Sequence, residues 1–524
     1  MKKINVLDCT LRDGGYINNW EFGKEVIRKI INNLENANID IIECGFIRET
    51  EVDPDSSVFP SMDYVSEVIN PKKNGVLYAI MIEQHNYVSS LVTPYSENTA
   101  DIIRLTFRRN EWANAKKTVK ELMGKGYKVC IQPVGTANYD DSSLIKLLQD
   151  VNYLRPYCFY LVDTLGLMYR HEMRKFFYLI DNNLSQNILL GFHSHNNLQM
   201  SFANAQEIMR LNRNRSIIID SSCYGMGRGV GNLATELITD YINNIIEQKY
   251  SLIPILNIAD RYLKPIYSIK RWGYDLPYFL SATFKCHPNY SAHLMQKETL
   301  SIESIEKILS LIPVDKRNEF NEDLIEKLYF EIQEYNIDDR ESYEKLKKVV
   351  FDKEVLIIGP GSSIVEHKFD IDDVSSGKLI FSVNFIPEAY KIDALFISNE
   401  KRLGIFELTM PDIVVATSNL GKELADAWFF DYSSLLGEGD ASDNSSAMLI
   451  RILKNCGIKK IYFAGLDGYD VDSSANFAIS TFKAFMDYDT AKKKNKDISR
   501  QLTLALRGIK YEFITPTKYE IGNI

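Results

Sequence analysis

Eight short apolar runs in the first 245 or so residues constrain the fold more than any other feature of this chain. They are Ile4–Cys9, Ile39–Phe46, Val76–Ile82, Ile102–Phe107, Lys128–Val134, Phe159–Val162, Ile188–Phe192 and Ile217–Ile219. Between them lie stretches such as Lys24–Leu34, Ala113–Met123, Ser142–Leu154 and Leu198–Arg210, with apolar residues at helical spacing. A strand-like run alternating with an amphipathic helix predicts parallel strands joined by crossover helices. Eight such units in about 245 residues match the size and count of a (β/α)8 barrel. A doubly wound open sheet is the alternative, but it needs no count of eight.

In such a barrel the active site lies at one face, at the C-terminal ends of the strands. Polar residues cluster there along this sequence. Arg12 and Asp13 follow the first run and Glu43 sits in the second. Arg104 and Arg108 are in or just after the fourth, and Gln132 is in the fifth. Asp163 and Thr164 follow the sixth, and Asp220, Ser221 and Ser222 follow the eighth.

The seventh run ends in His193-Ser194-His195-Asn196-Asn197. Residues two apart on a strand point to the same face, so both imidazoles look the same way. Taken singly, each reads as a satisfied core histidine; the pair followed by two asparagines at a strand end reads as half of a metal site. Asp13, before Gly14-Gly15, is a turn residue by itself and a ligand in that company. Asp13, His193 and His195 together make a two-histidine, one-carboxylate set that leaves coordination positions open. A divalent ion on such a set (Mn, Mg or Co, with Zn an alternative) holds a 2-oxo acid and stabilises the enolate formed when a neighbouring C–C bond breaks. Arg12 stands next to the ligand to share that charge.

These residues resemble a known family. Leu11-Arg12-Asp13-Gly14, Glu43, His193-x-His195-Asn196 and Gly229-Val230-Gly231-Asn232-Leu233-Ala234-Thr235-Glu236 are similar to the motifs of the DRE-TIM metallolyase superfamily. That superfamily includes 4-hydroxy-2-oxovalerate aldolase, HMG-CoA lyase, and the isopropylmalate and homocitrate synthases. The resemblance covers residues 4–245. It implies a TIM barrel, a divalent metal on Asp13, His193 and His195, Arg12 as stabiliser of the enolate, Glu43 as the second-strand acid and Asn232 near the metal. Asp163-Thr164-x-Gly166 resembles the family's sixth-strand segment, and with Gln132 it is expected to bind substrate. Gly225-Met226-Gly227-Arg228-Gly229-Val230-Gly231-Asn232 is similar to the glycine-rich stretch of the hydroxy-oxovalerate aldolases, so the aldolase branch is expected, with an acyl-CoA-type lyase or synthase as the alternative. The implied partners are a small 2-oxo acid and an aldehyde. The aldolases carry a catalytic histidine three residues after the metal aspartate, where this chain has Tyr16. The general base is then Tyr16 itself or His287, or Tyr16 only shapes the pocket.

Residues 248–350 read as a helical appendage or lid over the 1–247 barrel, and 351–524 as a Rossmann-like α/β domain. Its strand-like runs are Val355–Ile358, Leu379–Phe385, Ala394–Ile397, Ile413–Ala416 and Ile461–Ala464. Gly359-Pro360-Gly361-Ser362-Ser363 follows the first and is a candidate phosphate cradle, although it is neither a dinucleotide fingerprint nor a Walker A loop. Asp467 reads equally as a metal or ribose ligand and as a turn residue. Ile358–Ser363, Phe381–Asn384 and Ala464–Gly468 resemble pterin pyrophosphokinase-like and bacterial sialyltransferase-like proteins. That implies handling of a nucleotide or sugar nucleotide, in surface-polysaccharide or activated-sugar metabolism, and makes a bifunctional transferase the competing reading. A non-catalytic scaffold is the third.

A net charge of −9 gives no reason to expect nucleic acid as a partner. The seven cysteines are dispersed, with no CxxC pair, as buried free thiols are. With no signal peptide and no membrane-spanning run in the sequence, a soluble cytoplasmic enzyme is expected. Homo-oligomerisation stays open.

Overall fold

The computed structural model describes residues 3–212, 215–317, 319–403, 410–424, 426–471, 477 and 488–522. They form two units. The first comprises Met1–Ala292 with Pro313–Phe320, and the second His293–Ile312 with Asn321–Ile524. The stretch 248–350 is thus shared between them.

In the first unit all eight apolar runs are strands: β1 (Ile4–Asp8), β2 (Ile41–Ile47), β4 (Leu77–Glu83), β5 (Ile102–Phe107), β6 (Lys128–Pro133), β7 (Cys158–Asp163), β8 (Leu189–Ser194) and β9 (Ile217–Ser221). A two-residue strand, β3 (Val58–Phe59), hangs on β2. The sheet order is β1-β9-β8-β7-β6-β5-β4-β2-β3, and pairing of β1 with β2 closes it into an eight-stranded parallel barrel. The strands are apolar on both faces because each face is covered, which is why they read as continuous runs. Leu7, Cys9, Ile41, Ala79, Ile102, Cys130, Cys158 and Ile218 fill one cluster with Tyr160 and Val162. A larger cluster lies between strands and helices. Helix Lys24–Asn36 contributes Ile27, Ile30, Ile31 and Leu34, spaced to form one face. Each such side chain, fully buried, is worth about 1.5–3 kcal/mol. After the last barrel helix the chain stays on this core through Ile255, Ile258, Leu263 and Trp272.

The second unit holds a seven-stranded, wholly parallel sheet: β10 (Glu354–Ile358), β11 (Leu379–Val383), β12 (Ala394–Ile397), β13 (Ile413–Thr417), β14 (Trp428–Phe430), β15 (Lys460–Ala464) and β16 (Lys510–Phe513). The order is β14-β13-β12-β11-β10-β15-β16. The chain walks outward from β10 to β14 and then crosses to β15 on the other side of β10. The loops after β10 and β15 therefore meet where the winding reverses.

All seven cysteines are buried and free. Among the described residues no helix is long and apolar enough to cross a membrane.

Candidate active site and metal centre

The site grows from two strand ends. After β1 the chain makes a buried π-helical turn, Thr10–Gly14, and a short helix, Gly15–Asn18. The indole of Trp20 folds back and donates from Nε1 to the Arg12 carbonyl (2.7 Å), pinning the turn. Asp13 is thereby held beside the end of β8, where His193 and His195 project. One ligand atom from each of Asp13, His193 and His195 lies within 4.8 Å of the other two. A divalent ion about 2.1 Å from each ligand keeps such atoms within about 4.2 Å, so small side-chain adjustments suffice.

The electrostatics suit a cation. Burial pushes the Asp13 carboxyl up, but Arg12, the two histidines and Asn232 outweigh it and hold it well below the usual carboxylate range. Burial drives His195 down to about 4 against the pull of Asp13, so its imidazole is neutral at pH 7 and free to ligate. Asn232 donates through Nδ2 to Asp13 Oδ2, while its Oδ1 is buried with no hydrogen-bond partner. An orphaned carbonyl oxygen beside an Asp/His/His set fits a fourth ligand to a metal.

Beneath this set runs a chain of buried charges. Arg12 donates to Asp13 (2.6 Å) and to Glu43 (2.8 Å). Arg104, fully buried in β5, donates to Glu43 (2.5 Å) and to Asp220 at the end of β9. Asp220 meets His193 Nδ1 at 3.0 Å. That contact fixes the tautomer, with Nδ1–H on Asp220 and Nε2 left for a metal. With its amide turned to face the guanidinium, Gln132 accepts from Arg104 Nε (3.2 Å). Two guanidiniums against three carboxylates leave one negative charge for a cation to meet. Sequence reasoning noted Arg104 in the fourth run and Asp220 after the eighth but did not assign them. Their signal was a lone arginine in an otherwise apolar strand and an acid ending the eighth barrel strand.

The glycine-rich loop after β9 completes the wall. A Cβ on Gly227 would lie 2.3 Å from Asn232 Nδ2, and one on Gly231 (φ +79°) would lie 2.0 Å from the Gly225 carbonyl. Only glycine lets the loop close tightly enough to bring Asn232 onto Asp13.

A cavity of about 1130 Å³ opens over these residues, lined by Arg12, Asp13, His193 and His195 and also by Tyr16, Gln132, Thr164, Arg228 and His287. Tyr16 packs edge-on against Trp20 at 4.8 Å, and burial together with Asp13 pushes its phenol pKa up, Arg12 opposing. His287 contacts Arg228, and burial plus that neighbour drive it down to about 3. Asp163 is not on the cavity wall. Its carboxylate accepts from the amides of Leu167 (2.9 Å) and Met168 (3.0 Å) and so holds its own loop, while burial raises its pKa to about 6. Glu43 is also behind the wall, spent on the two arginines.

In the second unit Gly361 and Ser363 do meet Asp467 where the winding reverses, while Gly359 packs against Gly465. The helix that starts there, Ser363–Glu366, is only four residues long, and Asp467 accepts from the Ser363 amide (2.8 Å) and hydroxyl. The Asp467 carboxylate also fills the space beside Gly361. The Ser363 donors are thus taken by an internal anion, and the Gly359 and Gly361 amides donate to the carbonyls of Ala464 (2.8 Å) and Gly465 (2.9 Å).

Against known proteins, the HMGL-like family model matches residues 3–260. The oxaloacetate decarboxylase of Mycobacterium tuberculosis is 24% identical over 237 residues, 44% of this chain and 68% of that protein. The 4-hydroxy-2-oxovalerate aldolase 2 of Comamonas testosteroni is 23% identical over 269 residues, 51% of this chain and 76% of that protein. The solved N-terminal domain of a Bacteroides vulgatus protein aligns with 58% of this chain and 99% of its own, at 24% identity and a TM-score of 0.49.

Proposed function

Residues 3–260 belong to the HMGL-like family, within the DRE-TIM metallolyase superfamily of aldolases and lyases, and from that premise we propose that the barrel cleaves or forms the C–C bond between a pyruvate-type fragment and an aldehyde in a 4-hydroxy-2-oxo acid. The observation that carries this reading is the convergence of Asp13, His193 and His195 on one point of a deep cavity, beside Arg12 and the unpartnered Asn232 Oδ1. A divalent ion (Mn, Mg or Co, or Zn) held by those residues would polarise the 2-oxo group as a Lewis acid.

In the cleavage direction the C3–C4 bond breaks and its electron pair passes to C3 and the C2 oxygen. The C4 hydroxyl gives up its proton as the carbonyl of the aldehyde forms, and C3 then takes a proton to complete the 2-oxo acid. Arg12 meets the growing negative charge. Its Nε and Nη1 are fixed by Glu43 and Asp13, and Nη2, without a partner among the described residues, is left on a side chain that lines the cavity. Such a preset donor is worth about 10²- to 10³-fold in rate. Gln132 and Thr164 line the pocket floor and orient the oxo acid. Tyr16 and His287 are the candidates for handling the hydroxyl proton. A phenol with a raised pKa is a proton donor to the alkoxide in the condensation direction.

One observation favours a second reading. Tyr16 stands where the aldolases have histidine, and His287 is a feeble base at neutral pH. Decarboxylation of a 2-oxo diacid needs no base, because the C3–C4 electron pair stays on C3 and carbon dioxide leaves without a proton to surrender. The relative named oxaloacetate decarboxylase supports this alternative.

The deciding assay measures pyruvate release from 4-hydroxy-2-oxovalerate and from oxaloacetate with Mn²⁺, Mg²⁺ or Co²⁺, beside Asp13→Asn and His193→Ala. Turnover of the hydroxy acid that both substitutions abolish supports the aldolase. Turnover of oxaloacetate alone, abolished likewise, moves the assignment to the decarboxylase. Neither activity, with metal bound, refutes both.

A further inference from the structure

We infer that the cavity reads a second anionic group on its substrate, a carboxylate or phosphate carried by the aldehyde half, through a clamp formed by Arg228 and His287. This rests on the aldolase reading of the same cavity and adds a substrate class to it.

Three observations converge. The first is charge. Arg12 is neutralised by Asp13 and Glu43, Arg108 lies 3.1 Å from Glu319, and Arg109 lies 3.0 Å from Asp140. Arg228 lines the same cavity with no carboxylate partner among the described residues. The second is position. Gly227 and Gly231 are locked by close contacts, so the loop presents Arg228 at a fixed point, with its guanidinium 5.7 Å from the ring centroid of Tyr16. Tyr16 is three residues from Asp13, which places the cation beside the reacting centre yet off the metal ligands.

The third is a conflict at His287. This residue is only 8% exposed. Its Nδ1 faces the Asn289 amide N–H at 3.2 Å, and its Nε2 faces Arg228 Nη2 at 2.6 Å. A neutral imidazole has one N–H and one lone pair, so it cannot accept both. With the proton on Nδ1, that N–H confronts the Asn289 amide. With the proton on Nε2, it confronts the Arg228 guanidinium. Protonating both nitrogens makes both contacts repulsive, and burial with the adjacent guanidinium already holds the pKa near about 3. An oxyanion between Arg228 and His287 removes the conflict. Nε2–H and the guanidinium both donate to it, while Nδ1 accepts from Asn289. Bridging at about 2.8 Å from each nitrogen sets them roughly 4–5 Å apart, a movement that the exposed Arg228 side chain makes by changing rotamer.

The test pairs aldehydes of similar length with and without an anion. The full-length protein is assayed for condensation of pyruvate with succinic semialdehyde against butanal, and with glyceraldehyde 3-phosphate against glyceraldehyde. A preference of about 10- to 100-fold in kcat/KM for the anionic member is expected, the range of one or two charge-assisted hydrogen bonds. Whichever pair shows the larger ratio identifies the anion. In Arg228→Met the ratio falls to within about threefold of one, and Arg228→Lys keeps part of it. A substitution that merely disturbed the fold would lower both members of a pair and leave their ratio intact. Equal turnover of all four aldehydes by the unmodified protein overturns the clamp and leaves the aldolase standing. If no aldehyde is turned over, the aldolase reading fails separately, and titration of the EDTA-treated protein with succinate and inorganic phosphate decides the clamp. Saturable binding weakened at least tenfold in both Arg228→Met and His287→Gln upholds it; binding that is absent, or unaffected by either substitution, overturns it.

Discussion

The two units of this chain use the same device, a parallel sheet with polar residues at the C-terminal ends of its strands, and they spend those residues differently. In the barrel, charged groups are paired behind the wall so that a few are left over in front of it. Arg104 holds Glu43 and Asp220, Glu43 steadies Arg12, Asp220 orients His193, and the leftovers are Asp13, His195, Asn232 Oδ1 and one arm of Arg12. In the second unit most of the strand-end groups satisfy one another, Ser382 Oγ being the buried exception. Asn384 Nδ2 donates to Ser445 Oγ (2.7 Å), the Ser398 amide donates to Asn384 Oδ1 (3.0 Å), Thr417 donates to Asn419 (2.6 Å), and Asn419 reaches Gln333 (3.2 Å). Asp467 closes the Ser363 turn. Polar strand ends mark a reactive site where donors and acceptors remain after internal pairing, and a stable turn where they do not.

The comparison breaks most visibly at the ligands. Asp13→Asn and His193→Ala are expected to lower metal-dependent turnover by about 10³-fold or more, while Asp467→Asn leaves turnover within about twofold; a large loss in Asp467→Asn erases the distinction. Next comes the paired charge behind the wall. Arg104→Met strands Glu43 and Asp220 in a dry interior and should cost about 3–5 kcal/mol of stability, read by denaturant unfolding of the intact chain, whereas Asn384→Ala should cost only about 1 kcal/mol. Third, Asp220→Asn removes the charged acceptor on His193 and should weaken divalent-ion affinity by about 10- to 100-fold, measured by titration in a competing chelator. A subtler effect concerns acid. His287 is held down at about 3, against an unfolded value of about 6.5. The unfolded chain therefore takes up this proton first, and the stability contributed by the neutral imidazole is present above about pH 6.5 and lost as pH falls toward 3, at up to about 1.4 kcal/mol per pH unit. Thermal melts of His287→Gln between pH 7 and 4 should show a correspondingly shallower slope. Smallest, Asp467→Asn should cost the second unit about 1 kcal/mol, the value of a helix cap.

The barrel was legible because its eight main strands are buried on both faces and read as mainly apolar runs, interrupted only by single polar residues such as Glu43 and Arg104. Val58–Phe59 and Trp428–Phe430 are too short to leave a pattern, and Lys510–Phe513 is a half-exposed edge whose charged residues mask it. The Asp13, His193 and His195 cluster was legible as a candidate metal set because alternate strand residues share a face and because its motifs resemble a family. What one dimension conceals is which polar group faces which. Asp163 and Asp220 both end apolar runs, yet one serves its own loop amides and the other a histidine 27 positions away. Arg104 meets Asp220 across 116 residues of sequence, a neighbourhood created only by ring closure.

That closure also orders events in time. Asp13 and Asn232 are 219 residues apart, and β1 hydrogen-bonds to β9. A chain emerging from its N-terminus holds Asp13 long before either histidine exists, and bringing such distant segments together is a slow step in folding. An ion held by Asp13, His193 and His195 would then arrive last, at a pocket already built. Its loading would be a maturation event whose rate follows assembly of the ring, so refolding in the presence of chelator should restore the barrel at the same speed and leave only the loading step outstanding.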